Sequence, residues 1–195
     1  MWTGPFWQVF AGLLISEGFM DAVANWFERK FEFTFSVELY PNLCVRLRGT
    51  PARLEELLGG CDPPLLVRKP LNKWSIQEHA GHLADLESLW LARVEDYLSG
   101  GDRLTTADLR NRKTDEANHN AHRLDDILAE FRKARFTLIE RLGHLSPSDF
   151  SRTMLHPRLQ QPMRMVDHLF FAPVHDDHHM AKVLELLNKD WAKDA

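Results

Sequence analysis

Ser75-Ile-Gln-Glu-His-Ala-Gly-His-Leu-Ala-Asp-Leu-Glu-Ser-Leu-Trp-Leu-Ala-Arg-Val-Glu-Asp-Tyr-Leu98 carries the strongest structural signal in this chain. It opens with a capping box: Ser75 at the N-cap can accept from the N3 backbone N–H, and Glu78 at N3 can reach back to the N-cap N–H. Ile76, Leu83, Leu86, Trp90, Val94 and Tyr97 then recur at helical spacing and form one apolar face. Gly100-Gly101 ends the helix. A long helix with one apolar face must bury that face, and three further helical blocks are available to cover it.

Upstream, Leu39 to Leu58 places Leu43, Leu47, Leu54 and Leu58 at helical spacing. Gly49-Thr50-Pro51 interrupts it, which predicts a kink or two stacked pieces. Cys61 to Lys73, with Pro63, Pro64 and Pro70, reads as an ordered surface crossing. Asp102 to Ala121 is polar and aperiodic, a loop with a helical turn or two. The third block runs from Leu124 to Leu142, with Leu124, Ile127, Leu128, Phe131, Ala134 and Leu138 inward and Gly143 as the residue after the C-cap. His144 to Gln161 is a second irregular crossing. The fourth helix is predicted to start on Pro162 at N1 and to run to about Asn188, bent by Pro173. No segment reads as a strand except Phe31 to Val37, which alternates weakly. The expectation is an all-α four-helix bundle with long crossings, its domain spanning 36–195 behind an N-terminal extension, 1–35.

The bulk composition is that of an ordinary globular chain: 195 residues, 44% apolar and 27% charged. A net charge of −4 offers no basic balance for nucleic acid. Cys44 and Cys61 match neither a redox pair nor a zinc knuckle and read as free thiols. Gly4 to Ile15 is apolar but too short for a membrane span, and it lacks the basic start and cleavage site of a secretory signal. The expectation is a cytoplasmic protein with a small-molecule substrate, no membrane partner, and a homodimer as an open option. Met20 opens a more polar stretch. Either Met20 is the natural start and 1–19 is translated upstream sequence, or 1–19 forms a short amphipathic helix packed on the bundle or on a second subunit.

Histidine is the unusual residue: the chain has 10. In His175-Asp-Asp-His-His179, His175 and His179 stand four apart and project from one helix face. Two imidazoles one turn apart can share a metal ion, as in H-E-x-x-H. The glutamate of that motif is missing, so a protease of that type is not supported. His178 is rotated away by about 100°, toward solvent or an outer position around the ion. A third ligand must come from another helix, and the second helix offers His79 and His82. His79 is the more central and is covered by Trp74 in the manner of a hydrophobic staple. His82 lies nearer the edge, beside Leu86 and Leu89, with no structural explanation of its own.

Two motifs, Trp74-Ser-Ile-Gln-Glu-His-Ala-Gly-His82-Leu-Ala-Asp-Leu-Glu87 and His175-Asp-Asp-His-His179-Met-Ala-Lys-Val183, together resemble the DinB/YfiT-like superfamily. Leu39-Tyr-Pro-Asn-Leu and Leu47-Arg-Gly-Thr-Pro-Ala-Arg-Leu54 resemble its first helix. The likeness runs from about Phe35 to the C-terminus. It implies an up-down-down-up four-helix bundle and a metal site with one histidine from the second helix and an H-x-x-x-H pair from the last. Carried across by position, the metal ligands are His82, His175 and His179. The superfamily includes transferases and isomerases that use a low-molecular-weight thiol such as bacillithiol or mycothiol.

Three neutral imidazoles leave a divalent ion an open position. Zinc is the first expectation from three histidines, with nickel or another first-row ion as alternatives. A thiol reaching such an ion becomes a nucleophile near neutral pH, and a water is activated likewise. The leading expectation is therefore a transferase that activates a low-molecular-weight thiol for attack on an electrophile. A hydrolase at the same site is the second, and a non-catalytic, metal-stabilised binding bundle the third. Asp85 and Glu87 could support His82 from behind. His168 is at most a pocket residue; His119, His122, His144 and His156 read as surface residues. Arg110, Arg112 and Lys113 form a short basic patch that could receive an anionic thiol, although a solvated loop is the plainer reading. No general base stands out.

Overall fold

The structure, a computed structural model, describes residues 23–71, 73–189 and 191. The expectations for residues 1–19 and for a start at Met20 lie outside the described residues. Among the described residues six α-helices follow in order: α1 (Tyr40–Leu58), α2 (Pro63–Leu66), α3 (Ile76–Ser99), α4 (Arg112–Glu116), α5 (Leu124–Gly143) and α6 (Met165–Leu187). α1, α3, α5 and α6 are the four long ones and form the bundle. α3 packs on α5 and α6, and α1 packs on the same two. The consecutive helices α1 and α3 thus occupy opposite corners, as do α5 and α6, so the chain must cross an end of the bundle twice.

The signals at the ends of α3 act as read. Ser75 Oγ accepts from Glu78 N–H at 3.1 Å, Glu78 accepts from Ser75 N–H at 2.8 Å, and Gly100 stops the helix in the left-handed region, φ 76°. α1 runs through Pro51 as one helix. The start of α6 differs from expectation. Pro162 lies in a two-stranded hairpin, β1 (Thr153–His156) with β2 (Gln161–Arg164), which the sequence did not announce. Met165 N–H bonds to Arg152 O at 2.9 Å, so Leu155 and Pro162 form a non-hydrogen-bonded pair and the missing N–H of Pro162 faces outward. Leu155 turns its own outward groups to Asp102 O and Leu104 N–H. The helix begins only where Asp167 at N3 accepts from Arg164 N–H at 2.7 Å. Phe31 to Val37 forms no strand; its rings lie on α6, Phe31 4.9 Å from Phe171 and Phe35 5.2 Å from Phe170.

The apolar core divides into two halves. One gathers Leu54, Leu58, Ile76, Leu83, Phe131 and Val183; the other gathers Leu47, Trp90, Val94, Leu138, Leu169 and Phe171. Each long helix carries a buried polar residue where it passes from one half to the other: Thr50, Glu87, Arg135 and Asp176. The Arg135 guanidinium donates to both Glu87 oxygens at 2.9 and 2.6 Å, to Asp176 at 2.8 Å and to the Leu47 carbonyl at 2.9 Å. This layer sits at the level of the histidines and locks α3, α5 and α6 in register.

Candidate metal centre

Neighbouring helices α3 and α6 bring His82, His175 and His179 together. Each offers one ring nitrogen, and all three nitrogens lie within 4.8 Å of one another. The four-residue spacing stacks His175 and His179 on one face, with their Nε2 atoms 3.2 Å apart. Around a tetrahedral ion with bonds of about 2.0–2.1 Å, adjacent nitrogens stand about 3.3 Å apart, so the pair is already at ligand spacing. All three residues are buried.

Two of the rings are held from behind. Thr114 of α4 donates to Asp85 at 2.9 Å, so its Oγ1 can accept only from His82 Nδ1–H, 3.0 Å away. That fixes the tautomer and leaves His82 Nε2 free to ligate. Asp85 also takes His119 Nε2–H at 2.9 Å. His119 lies directly on Gly81: a Cβ there would fall 2.3 Å from the His119 ring. On the other helix, His179 Nδ1 is 2.9 Å from His79 Nδ1, and Trp74 covers both His79 (5.5 Å between rings) and His82 (4.7 Å). His79 therefore stands behind a member of the trio. His175 Nδ1 is buried with no partner among the described residues.

Burial keeps these imidazoles neutral, which is the form that ligates a metal. It pulls His82 down to about 4 against the opposing pull of Asp85. It holds His175 and His179 well below the ordinary value, with the neighbouring histidines adding to it. Burial would raise Asp85, but the hydrogen bonds from His119 and Thr114 outweigh it and keep its carboxyl low.

The remaining sequence candidates fall on both sides. Asp85 is brought behind His82, whereas Glu87 is buried in the Arg135 pair and pushed up to about 7 by that burial, against the pull of the guanidinium. His178 is buried rather than turned to solvent, its ring 5.7 Å from Trp26 and 5.2 Å from His179. His119 and His156 are also buried, which corrects the surface reading; His122 and His144 are exposed. His168 packs against Trp90 at 5.4 Å and is absent from the cavity lining. In the basic patch, Arg112 is paired with Asp108 at 2.9 Å and Lys113 donates to the Asp85 carbonyl at 3.0 Å. Thr114 and Arg135 escaped the sequence reading altogether, and His119 was given no part in the site. The one available signal was Gly81, a glycine inside a strong helix, which marks a close approach.

The trio opens on a cavity of about 410 Å³, lined further by Trp26, Leu86, Leu89, Trp90, Phe171 and His178. Fold and site together define a helical bundle whose facing helices present an all-imidazole group of metal-ligand spacing to an open pocket. The chain belongs to the DinB superfamily, whose model matches residues 46–183. Among solved structures it is similar to YfiT from Bacillus subtilis, a probable metal-dependent hydrolase with an unusual four-helix bundle topology. There the TM-score is 0.70 at 20% identity, over 82% of this chain and 91% of that one. It is also similar to the mycothiol-dependent maleylpyruvate isomerase, with a TM-score of 0.58 at 12% identity, over 78% of this chain and 61% of that one. No sequence among the curated proteins matches it. No helix among the described residues is long and apolar enough to cross a membrane.

Proposed function

We propose that His82, His175 and His179 hold a divalent ion, and that the protein is a metal-dependent transferase that activates a low-molecular-weight thiol for attack on an electrophile. The observation that carries this reading is the convergence of three buried neutral imidazoles, at ligand spacing, on the wall of an open cavity. When bound, the ion supplies a Lewis-acidic position that brings the pKa of a thiol or water reaching it toward neutrality. Thr114 and Asp85 orient His82 for it, and His79 orients His179. Trp26, Trp90 and Phe171 wall the cavity with aromatic surface. Asp108 is the sole carboxylate in that wall among the described residues, and Arg112 occupies it. No acid–base carboxylate is therefore poised there, and a nucleophile that needs no base beyond the ion suits the site best. Zinc fits an imidazole-only set, as does nickel.

One observation favours the hydrolase as a second reading. His178 lines the same cavity with no partner for Nδ1 among the described residues, and burial, with Arg29 adding to it, brings it down to about 4, so the ring is neutral and able to accept a proton. The experiment that separates the two loads the protein with zinc or nickel and offers monochlorobimane with glutathione, cysteine, bacillithiol or mycothiol in turn. Acceleration with one thiol, lost in His175→Ala, is the expected result. Hydrolysis of a simple ester without acceleration of any thiol would replace the transferase by the hydrolase. Neither activity, with metal removal lowering only the melting temperature, would make the ion structural.

A further inference from the structure

At the end of the cavity built from α3 and the hairpin, four hydrogen-bond donors meet without an acceptor. Arg93 is 2% exposed, donates Nε–H to the Thr105 carbonyl at 3.0 Å, and has no carboxylate partner among the described residues. Arg158, on the hairpin turn, has a buried Nη2 with no partner among the described residues, and its guanidinium lies over the Trp26, Phe27 and Phe171 rings at 5.6–5.7 Å. Trp90 Nε1–H is likewise buried and without a partner among the described residues. His156 adds the fourth. Its Nδ1 accepts the backbone N–H groups of Arg158 (3.3 Å) and Leu159 (3.1 Å), so the neutral ring carries its proton on Nε2. That Nε2–H faces Arg93 Nη1–H at 3.3 Å, donor against donor.

Buried donors without acceptors, and buried cations without counter-charges, are each costly by roughly 1–3 kcal/mol or more. Folds retain such groups mainly where something else completes them. Burial, with Arg158 adding to it against Tyr97 and Asp96, draws Arg93 down to about 10, well above neutrality, so both guanidinium groups stay charged. All four residues line the cavity that also carries the histidine trio. Trp26, Phe27, Leu86, Leu89 and Phe171 give the same wall a broad aromatic and aliphatic surface, beside the polar Asn25, Asn111 and Lys182 and the Asp108 carboxylate that Arg112 already occupies.

We infer that Arg93, Arg158, His156 and Trp90 form a carboxylate-binding subsite, and that the molecule this protein takes is a small carboxylic acid with an apolar or aromatic body lying toward the histidine trio. A planar carboxylate fits the fork of a guanidinium and accepts from several N–H groups at once. The inference rests on the proposed metal chemistry for what happens to that molecule, not for its binding.

The test is therefore made on binding, with the full chain, both metal-loaded and stripped with chelator so that the ion cannot itself be the acceptor. Phenylacetate and hexanoate are compared with phenylacetamide and with inorganic phosphate, by titration calorimetry and thermal shift. The carboxylates should bind and raise the melting temperature in both preparations, the neutral amide at least about tenfold more weakly, a factor equal to about 1.4 kcal/mol. Arg158→Gln should weaken phenylacetate by a similar factor or more, and Arg158→Lys by less. Arg158→Gln should leave the zinc content of the metal-loaded protein unchanged, so loss of the metal site and loss of the subsite are read separately. Equal binding of acid and amide, preference for phosphate, no binding at all, or indifference to Arg158→Gln would each overturn the assignment.

Discussion

Arg135→Met is the sharpest perturbation of this fold. The guanidinium is fully buried and makes four hydrogen bonds, two to Glu87, one to Asp176 and one to the Leu47 carbonyl. Methionine fills much of the same volume but leaves two carboxyl groups and a carbonyl in the core without their donor. Breaking a buried pair by removing one partner costs about 3–5 kcal/mol. In a chain of this length each kcal/mol moves the melting temperature by about 2–4 °C, so the loss should be about 6–20 °C. The penalty should also depend on pH. Glu87 is already pushed up to about 7 by burial while Arg135 opposes that rise, so removing Arg135 raises it further. Below that value Glu87 takes a proton and the damage is partly relieved; above it, each pH unit adds up to about 1.4 kcal/mol. Urea unfolding of metal-free wild type and Arg135→Met at pH 5.5 and pH 8 measures both effects. Glu87→Gln in the Arg135→Met background should recover part of the loss at pH 8. A penalty below about 1 kcal/mol, or one equal at both pH values, would refute the buried ionic layer.

Further expectations follow from the same geometry. Alanine at His82, His175 or His179 should strip the divalent ion seen by elemental analysis, while His178→Ala retains it; loss with His178→Ala and retention with His82→Ala would invalidate the ligand set. Gly81→Ala forces a methyl to within 2.3 Å of the His119 ring and should destabilise by about 1–3 kcal/mol; it should also weaken zinc affinity by releasing Thr114 and Asp85 from His82, and an unchanged affinity would remove that chain of support. Acid should unfold the metal-free protein early. His79, His82, His168, His175 and His179 all have folded pKa values below the unfolded value, so their stability is present above about 6.5 and is lost as pH falls toward about 4 and below. Each contributes up to about 1.4 kcal/mol per pH unit in that window; Glu87, with its raised pKa, acts oppositely but alone. Urea midpoints that stay flat from pH 7 to pH 5 would contradict this. Finally, Trp26→Ala uncovers His175, whose ring lies 4.8 Å away, and should make the bound metal more accessible to a chelator, measured as faster zinc release to a colorimetric dye.

Much of this protein is written locally. The capping box at Ser75, the apolar stripe to Tyr97 and the glycine pair that follows specify α3, because caps and helical periodicity are short-range properties of the chain. The H-x-x-x-H spacing places His175 and His179 on one face for the same reason. The pairing of these with His82 rather than His79 came from resemblance, and both histidines prove to be engaged with the last helix. What the linear order did not contain were contacts made across the bundle. A pattern of apolar positions predicts which side of a helix is buried, but it does not place Glu87, Asp176 and Arg135 together in the core, since only the neighbouring helices supply their partners. The hairpin is hidden because a Pro at the outward position of an edge strand looks, in sequence, like a helix start. Thr114 and His119 sit in a polar crossing with no periodicity, and their role exists only because Gly81 lets that crossing lie directly on α3. Arg93 lies 63 residues before His156, which shares one hairpin with Arg158, and nothing in their sequence neighbourhoods distinguishes them from surface groups. The chain alone thus determined the helices and the metal-ligand spacing, which depend on neighbours within a few residues. The packing of α3, α5, α6 and the hairpin decided which charges are buried, what holds each histidine, and what the cavity can receive, because burial and counter-charge are properties of the space between elements.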